Sequence, residues 1–193
     1  HLAATLVTGD LVEQGVGTAD DYRWIRDALQ AIAPVIAIPG NADDPDAFDA
    51  VFGWDRNPES TACEGAWLVP VGDGVWVLPL DSSDSEEHGW TLDPEPIAEA
   101  MEELAALPAD AQVLVALHHP PLRIGHQIMD QMSLQDVPEL ETMVRNDDRI
   151  VGVVTGHLHS GVATSFAGKP LIVGPAVQSQ LRLDAELTGV ASN

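Results

Sequence analysis

Val151-Gly-Val-Val-Thr-Gly-His-Leu-His-Ser160 is an apolar run that breaks at Thr155-Gly156 and delivers two histidines one residue apart. The run reads as a buried strand and the Thr-Gly pair as its turn, so His157 and His159 leave the end of a sheet on a rigid base. Three further apolar runs finish in the same manner. They are Ala4-Thr-Leu-Val-Thr-Gly-Asp10, Val35-Ile-Ala-Ile-Pro-Gly-Asn41 and Val113-Leu-Val-Ala-Leu-His-His119. Four buried strands each hand an Asp, Asn or His to their C-terminal ends. That is where layered α/β sheets place their sites.

Between the strands lie helical patterns. Tyr22, Ile25, Leu29 and Ile32 recur at spacings of three and four over residues 20–33, with Thr18 or Asp20 as cap. Asp43-Asp44-Pro45 reads as a turn starting a short helix over 46–52. Ile97, Met101, Leu104 and Leu107 mark a second amphipathic helix after Pro94, and residues 137–145 a third. Gly72-Asp73-Gly74 between 67–71 and 75–80 is a hairpin signal, and short strands flank Gly168 at 162–166 and 171–173. Residues 53–65 and 81–90 read as surface loops, His88 as a surface residue, and the tryptophans as core or rim. Strands alternating with helices predict one α/β domain over residues 1–193.

Composition narrows the chemistry. The 193 residues hold 31 acidic side chains against 8 basic ones, a formal net charge of −23. Such a field disfavours a nucleic-acid groove or an anionic membrane surface, which need clustered cations. It also repels a phosphorylated substrate unless a bound metal supplies local positive charge. Hydrophobic content of 45% supports a packed core. No run is long enough to span a bilayer. Cys63 stands alone, which leaves no disulfide framework and makes a cytoplasmic setting the expectation.

Singly, each strand-end residue has a plainer reading. Asp10 can cap a turn, Asn41 can occupy a left-handed turn position, and His118 can be a packed core histidine. Together, and in this order, Gly9-Asp10-Leu11, Gly40-Asn41, His118-His119-Pro120-Pro121 and Gly156-His157-Leu158-His159 resemble the calcineurin-like metallophosphoesterase family. The His-His-Pro-Pro block with Gly125, Met129-Asp130 and Leu134 is most similar to its class III cyclic nucleotide phosphodiesterase branch.

The resemblance implies an αββα sandwich and a hydrolase of small phosphoesters, cyclic-nucleotide-like phosphodiesters among them. It implies two divalent ions, Mn²⁺, Fe or Zn²⁺, whose bridging water becomes hydroxide for in-line attack. Asp10 would bridge the ions. Asn41, His118 and His157 would bind one of them, and His159 the other. His119 and His126 have no ligand role in the pattern and are candidates for substrate contact. A monomer and a homo-oligomer both stay open.

Two departures qualify the expectation. The family's opening Asp-x-His motif has no counterpart before Gly9-Asp10. His1 lies nine residues upstream, roughly 25–30 Å away along an extended strand at ~3.3 Å per residue. The expectation is a chain truncated at its N-terminus and C-terminus, lacking its first strand, that holds one ion better than the other. Secondly, Ala42 stands where the family often has a histidine that helps protonate the leaving oxygen, so no catalytic acid is matched. Impaired phosphodiester hydrolysis is the main reading. A catalytically degenerate fold serving as an interaction scaffold is the alternative.

Overall fold

The computed structural model describes residues 2–13, 16–53, 68–86, 89–126 and 128–178. Most of the 53–65 loop, Trp54, Trp67, His88, His1 and the tail beyond 178 lie outside the described residues.

The chain opens with β1 (Thr5–Thr8), α1 (Ala19–Gln30), β2 (Val35–Ile38) and α2 (Pro45–Phe52). β1 and β2 pair in parallel, Thr5 opposite Val35 and Thr8 opposite Ile38. The strand expected from Leu2 begins only at Thr5. Thr18 closes a capping box with Asp21 at the start of α1, which satisfies donors that a helix N-terminus otherwise leaves open. Ile32 falls beyond the last turn and points outward at 66% exposure, although the period placed it on the apolar face. Asp44 caps α2 through the Ala47 N–H, with Pro45 in the first turn.

β3 (Val69–Gly72) and β4 (Val75–Pro79) form the expected hairpin, its turn using positive φ at Asp73 and Gly74. α3 (Pro94–Ala106), β5 (Gln112–Ala116), a short 3₁₀ turn (Met129–Gln131) and α4 (Pro138–Asn146) come next. β6 (Ile150–Thr155), β7 (Val162–Phe166) and β8 (Lys169–Val173) complete a six-stranded sheet of order β3-β4-β5-β6-β8-β7. Its four central strands run parallel and its edges antiparallel.

Alternation along the strands builds the layers. Leu6 of β1 with Ile36 and Ile38 of β2 faces Val77 and Ala116 of the large sheet. Val7, Val35 and Ala37, the intervening positions, face Tyr22 of α1 and Phe48 of α2. On the far side Leu78, Val113, Val115, Ile150, Val153 and Leu171 meet Ile97 and Leu104 of α3 and Leu140 and Val144 of α4. The stacking is helix, two-stranded sheet, six-stranded sheet, helix, which is the αββα order. Met101, assigned to the apolar stripe of α3 by spacing, is half exposed at 48%.

Candidate functional site

Strands β1, β2, β5 and β6 end near one another, and the residues just beyond these four ends make the site. After β1 the chain turns through Gly9 (φ 92°) into Asp10 (φ 55°). After β2 comes Gly40-Asn41, after β5 His118-His119, and after β6 His157 (φ 66°) and His159 (φ 51°). Left-handed backbone at a non-glycine residue is strained and recurs at functional positions. Asp10, His157 and His159 all adopt it here. Glycine is required beside them: a Cβ on Gly40 would collide with the Asp10 carboxylate and lie 2.7 Å from His118 Cε1. On Gly9 it would meet His118 Nδ1 and the Gly40 backbone.

The donor atoms converge. His118 Nε2 lies 3.2 Å from Asn41 Oδ1, 3.2 Å from His157 Nδ1 and 3.3 Å from Asp10 Oδ2. His119 Nε2 is 3.1 Å from the same Asn41 Oδ1. Donors about 2.1 Å from a tetrahedral ion stand roughly 3.4 Å apart, so this spacing suits a metal centre. His118, His119 and His157 can together hold an ion, and all three are buried.

Their hydrogen bonds fix which ring nitrogen is available. His118 Nδ1 donates to the Thr8 carbonyl at 2.6 Å, and His119 Nδ1 to the Ser82 carbonyl at 2.8 Å. A carbonyl only accepts, so Nδ1 carries a proton in each ring and Nε2 is the nitrogen turned inward, open to a metal when the ring is neutral, as ligating histidines are oriented. In His157 it is Nδ1 that faces His118, and Nε2 is buried with no hydrogen-bond partner among the described residues.

Electrostatics reflect the crowding. Burial opposes ionisation of Asp10, but the His118 hydrogen bond and charge, with the Ala42 N–H on Oδ1 at 2.9 Å, outweigh it and hold the carboxyl at about 2. Burial, reinforced by His118, holds His157 down at about 4; burial with His118 and His157 holds His119 at about 2. All three therefore keep the form a metal ligand needs near neutral pH.

The residues expected from sequence divide into those that join the cluster and those that do not. Asp10, Asn41, His118 and His157 meet at one point. His159 is half-buried two residues along and acts electrostatically on His157. His119 has no exposed surface and sits inside the cluster rather than on an open substrate wall. His126 accepts the Met129 N–H at 3.1 Å, at the start of the 3₁₀ turn. The 81–90 segment is a loop as expected, with Asp81, Asp84, Glu86 and Gly89 exposed, but two of its serines turn inward. Ser82 and Ser85 are wholly buried, their hydroxyls against His119 Nδ1 at 3.2 and 3.3 Å, and Trp90 packs edge-on at 5.5 Å. A loop of serines and acids carries no apolar period, so nothing in its pattern marked the buried face.

Asp43, read from sequence as a turn residue, is only 8% exposed. Its carboxylate accepts the N–H groups of Asp10 and Gly40 at 2.8 and 2.9 Å on Oδ2, and of Leu11 at 2.9 Å on Oδ1. Burial pushes this carboxyl up, opposed by the Gly40 N–H, the Tyr22 hydroxyl and the Leu11 N–H.

Comparison with known proteins is consistent with this arrangement. The family model described as calcineurin-like phosphoesterase matches residues 3–161. The chain is 27% identical over 178 residues to a protein of Fibrobacter succinogenes named "Probable cyclic nucleotide phosphodiesterase", covering 91% of this chain and 65% of that one. It is 30% identical over 178 residues to a cAMP/cGMP dual specificity phosphodiesterase of Mycobacterium tuberculosis, covering 90% and 54%. The chain thus spans between about half and two thirds of the length of these relatives. A solved phosphopantetheinyl hydrolase from Mycobacterium tuberculosis superposes with a TM-score of 0.55 at 19% identity, over 89% of this chain and 79% of that one. This last likeness concerns the fold.

Proposed function

The chain belongs to the calcineurin-like phosphoesterase family, and from that premise we propose that it hydrolyses small phosphodiesters, of the cyclic-nucleotide kind, with divalent metal. The observation that carries the reading is the ring of Asp10 Oδ2, Asn41 Oδ1 and His157 Nδ1 around His118 Nε2, all at 3.2–3.3 Å. One imidazole proton on His118 cannot satisfy all three neighbours at once, whereas a cation at their centre would.

In this reading Asp10, Asn41, His118 and His157 hold one ion, with His119 Nε2 aimed at the same point. Asp10 and His159 would hold a second ion, with fewer ligands from this chain. Imidazole mixed with oxygen suits Mn²⁺, Fe or Zn²⁺ rather than Ca²⁺ or Mg²⁺. When bound, such ions polarise phosphoryl oxygens and make water in the site more acidic.

The chain's own groups prepare for this. Asp10 is ionised at neutral pH, and its Oδ1 is occupied by the Ala42 N–H, which leaves Oδ2 for the shared point. The Thr8 and Ser82 carbonyls hold the His118 and His119 rings with Nε2 turned inward. At residue 42 only a methyl group projects, so no imidazole there can protonate the leaving oxygen, and turnover depends on the acidity of the leaving group. Positive charge in the site also offsets the repulsion that a net −23 imposes on an anionic substrate.

Turnover of bis(p-nitrophenyl) phosphate with added Mn²⁺ tests the reading. Hydrolysis is expected, and Asp10→Ala is expected to abolish it. Hydrolysis that survives Asp10→Ala unchanged contradicts the assignment, and a metal-loaded chain with no turnover favours the scaffold alternative.

A further inference from the structure

Asp43 stands outside the convergent donor set, yet it touches the backbone beneath two members of it. Oδ2 accepts from Asp10 N and Gly40 N, while Oδ1 accepts from Leu11 N, from the Tyr22 hydroxyl at 3.1 Å and from Val12 N at 3.4 Å. The first loop carries Asp10 and the second carries Asn41, so one side chain pins both. We propose that Asp43 is a positioning residue for the metal site, its carboxylate clasping the β1 and β2 loops so that Asp10 and Asn41 present their oxygens at one point. The inference rests on the metal-centre reading and adds to it a residue that offers the ion no atom of its own and acts through the backbone of Asp10 and Gly40.

The reason lies in acceptor count. A carboxylate offers about four lone-pair sites on two oxygens and takes no donor role when ionised. Five donors surround this one. Asparagine has the same shape but must turn an NH₂ towards one group of these donors, losing two acceptor sites and opposing N–H to N–H. Strand pairing cannot hold the loops together here, for β1 and β2 end at Thr8 and Ile38, before either ligand.

Tyr22 completes the clasp. Its hydroxyl donates to Asp43 Oδ1 and accepts the Asp44 N–H at 2.9 Å. Its ring is fully buried and packs edge-on against Phe48 at 5.7 Å and Phe52 at 6.3 Å. Helix α1 thereby braces the site it does not reach. Asp44, the next residue, offers a contrast: its side chain caps α2 and bonds neither loop.

The test measures Mn²⁺ and Zn²⁺ affinity by calorimetry, at a temperature where circular dichroism shows each variant folded. Asp43→Asn is expected to weaken binding by about 10–100-fold, the usual loss when a partner behind a ligand is removed. Asp44→Ala is expected to lower Tm while leaving Kd as in the wild type, which separates positioning from general stability. A folded Asp43→Asn with wild-type affinity overturns the inference alone. Wild-type protein that binds neither ion overturns the metal reading and the inference with it. If Asp43→Asn does not fold, Tyr22→Phe decides, since it removes one hydroxyl and keeps the ring. Weakened binding then supports the clasp, and unchanged affinity overturns it.

Discussion

Three imidazoles bring ligand atoms within 4.8 Å of one another, and a ring must be neutral to offer a metal its lone pair. The histidine pair His157 and His119, held at about 4 and 2, and Asp10, held at about 2, are all depressed from their ordinary values near 6.5 and 3.8. Below about pH 6.5 the unfolded chain takes up protons that the folded histidines refuse, so acid favours unfolding. For Asp10 the sign is the same: its stabilisation is complete above its ordinary pKa and is lost as pH falls through about 2. Urea titration of metal-free protein is therefore expected to show stability falling from pH 7 to pH 4, each histidine contributing up to about 1.4 kcal/mol per pH unit. Stability unchanged across that span would contradict the buried, neutral assignment. Ala42→His is expected to raise kcat most for diesters with poor leaving groups, by up to about 10²-fold, and little for p-nitrophenyl esters. A kinetic series over leaving-group pKa checks this. Asp10, Asn41, His118 and His157 stood out in the sequence because each comes at the end of an apolar run, three of them just past a turn-forming glycine. Asp43 and Tyr22 were not, because their roles depend on two loops 32 residues apart meeting, which no local pattern encodes.

At the scale of elements, strand ends do the positioning and loops tune it. The left-handed turn after β1 and the close approach of Gly40 bring the Asp10 carboxylate beside the Ala42 N–H. Gly40→Ala puts a methyl where that carboxylate lies and is expected to weaken metal binding more than it lowers Tm. Dialysis against Mn²⁺ beside a thermal melt separates the two, and an alanine variant that binds normally would refute the close approach. Most helices and strands were legible from period and caps, α1 and its Thr18 cap among them. The inward turn of Ser82 and Ser85 in the 81–90 loop left no mark in the sequence for a physical reason. Its buried serines face histidine rather than an apolar core, so burial there tracks polar partners and leaves no hydrophobic signal.

For the molecule as a whole, two sheets of unequal size share one rim, and the rim concentrates imidazole and carboxylate in a chain of net charge −23. The layer order was predictable from alternating strands and helices, since four of the strands read as apolar runs buried in a layered sheet. How closely the smaller sheet approaches the larger was not, for that distance is set by small residues such as Ala116 and Gly156 rather than by period. The central claim is that the two sheets deliver their donors to one cation. Metal analysis of wild type and His118→Ala after dialysis against Mn²⁺ or Zn²⁺ tests it most directly. At least one tightly held ion per wild-type chain, lost in the variant, is the expected result. A wild-type chain that retains no ion, or a variant that retains as much, would contradict it.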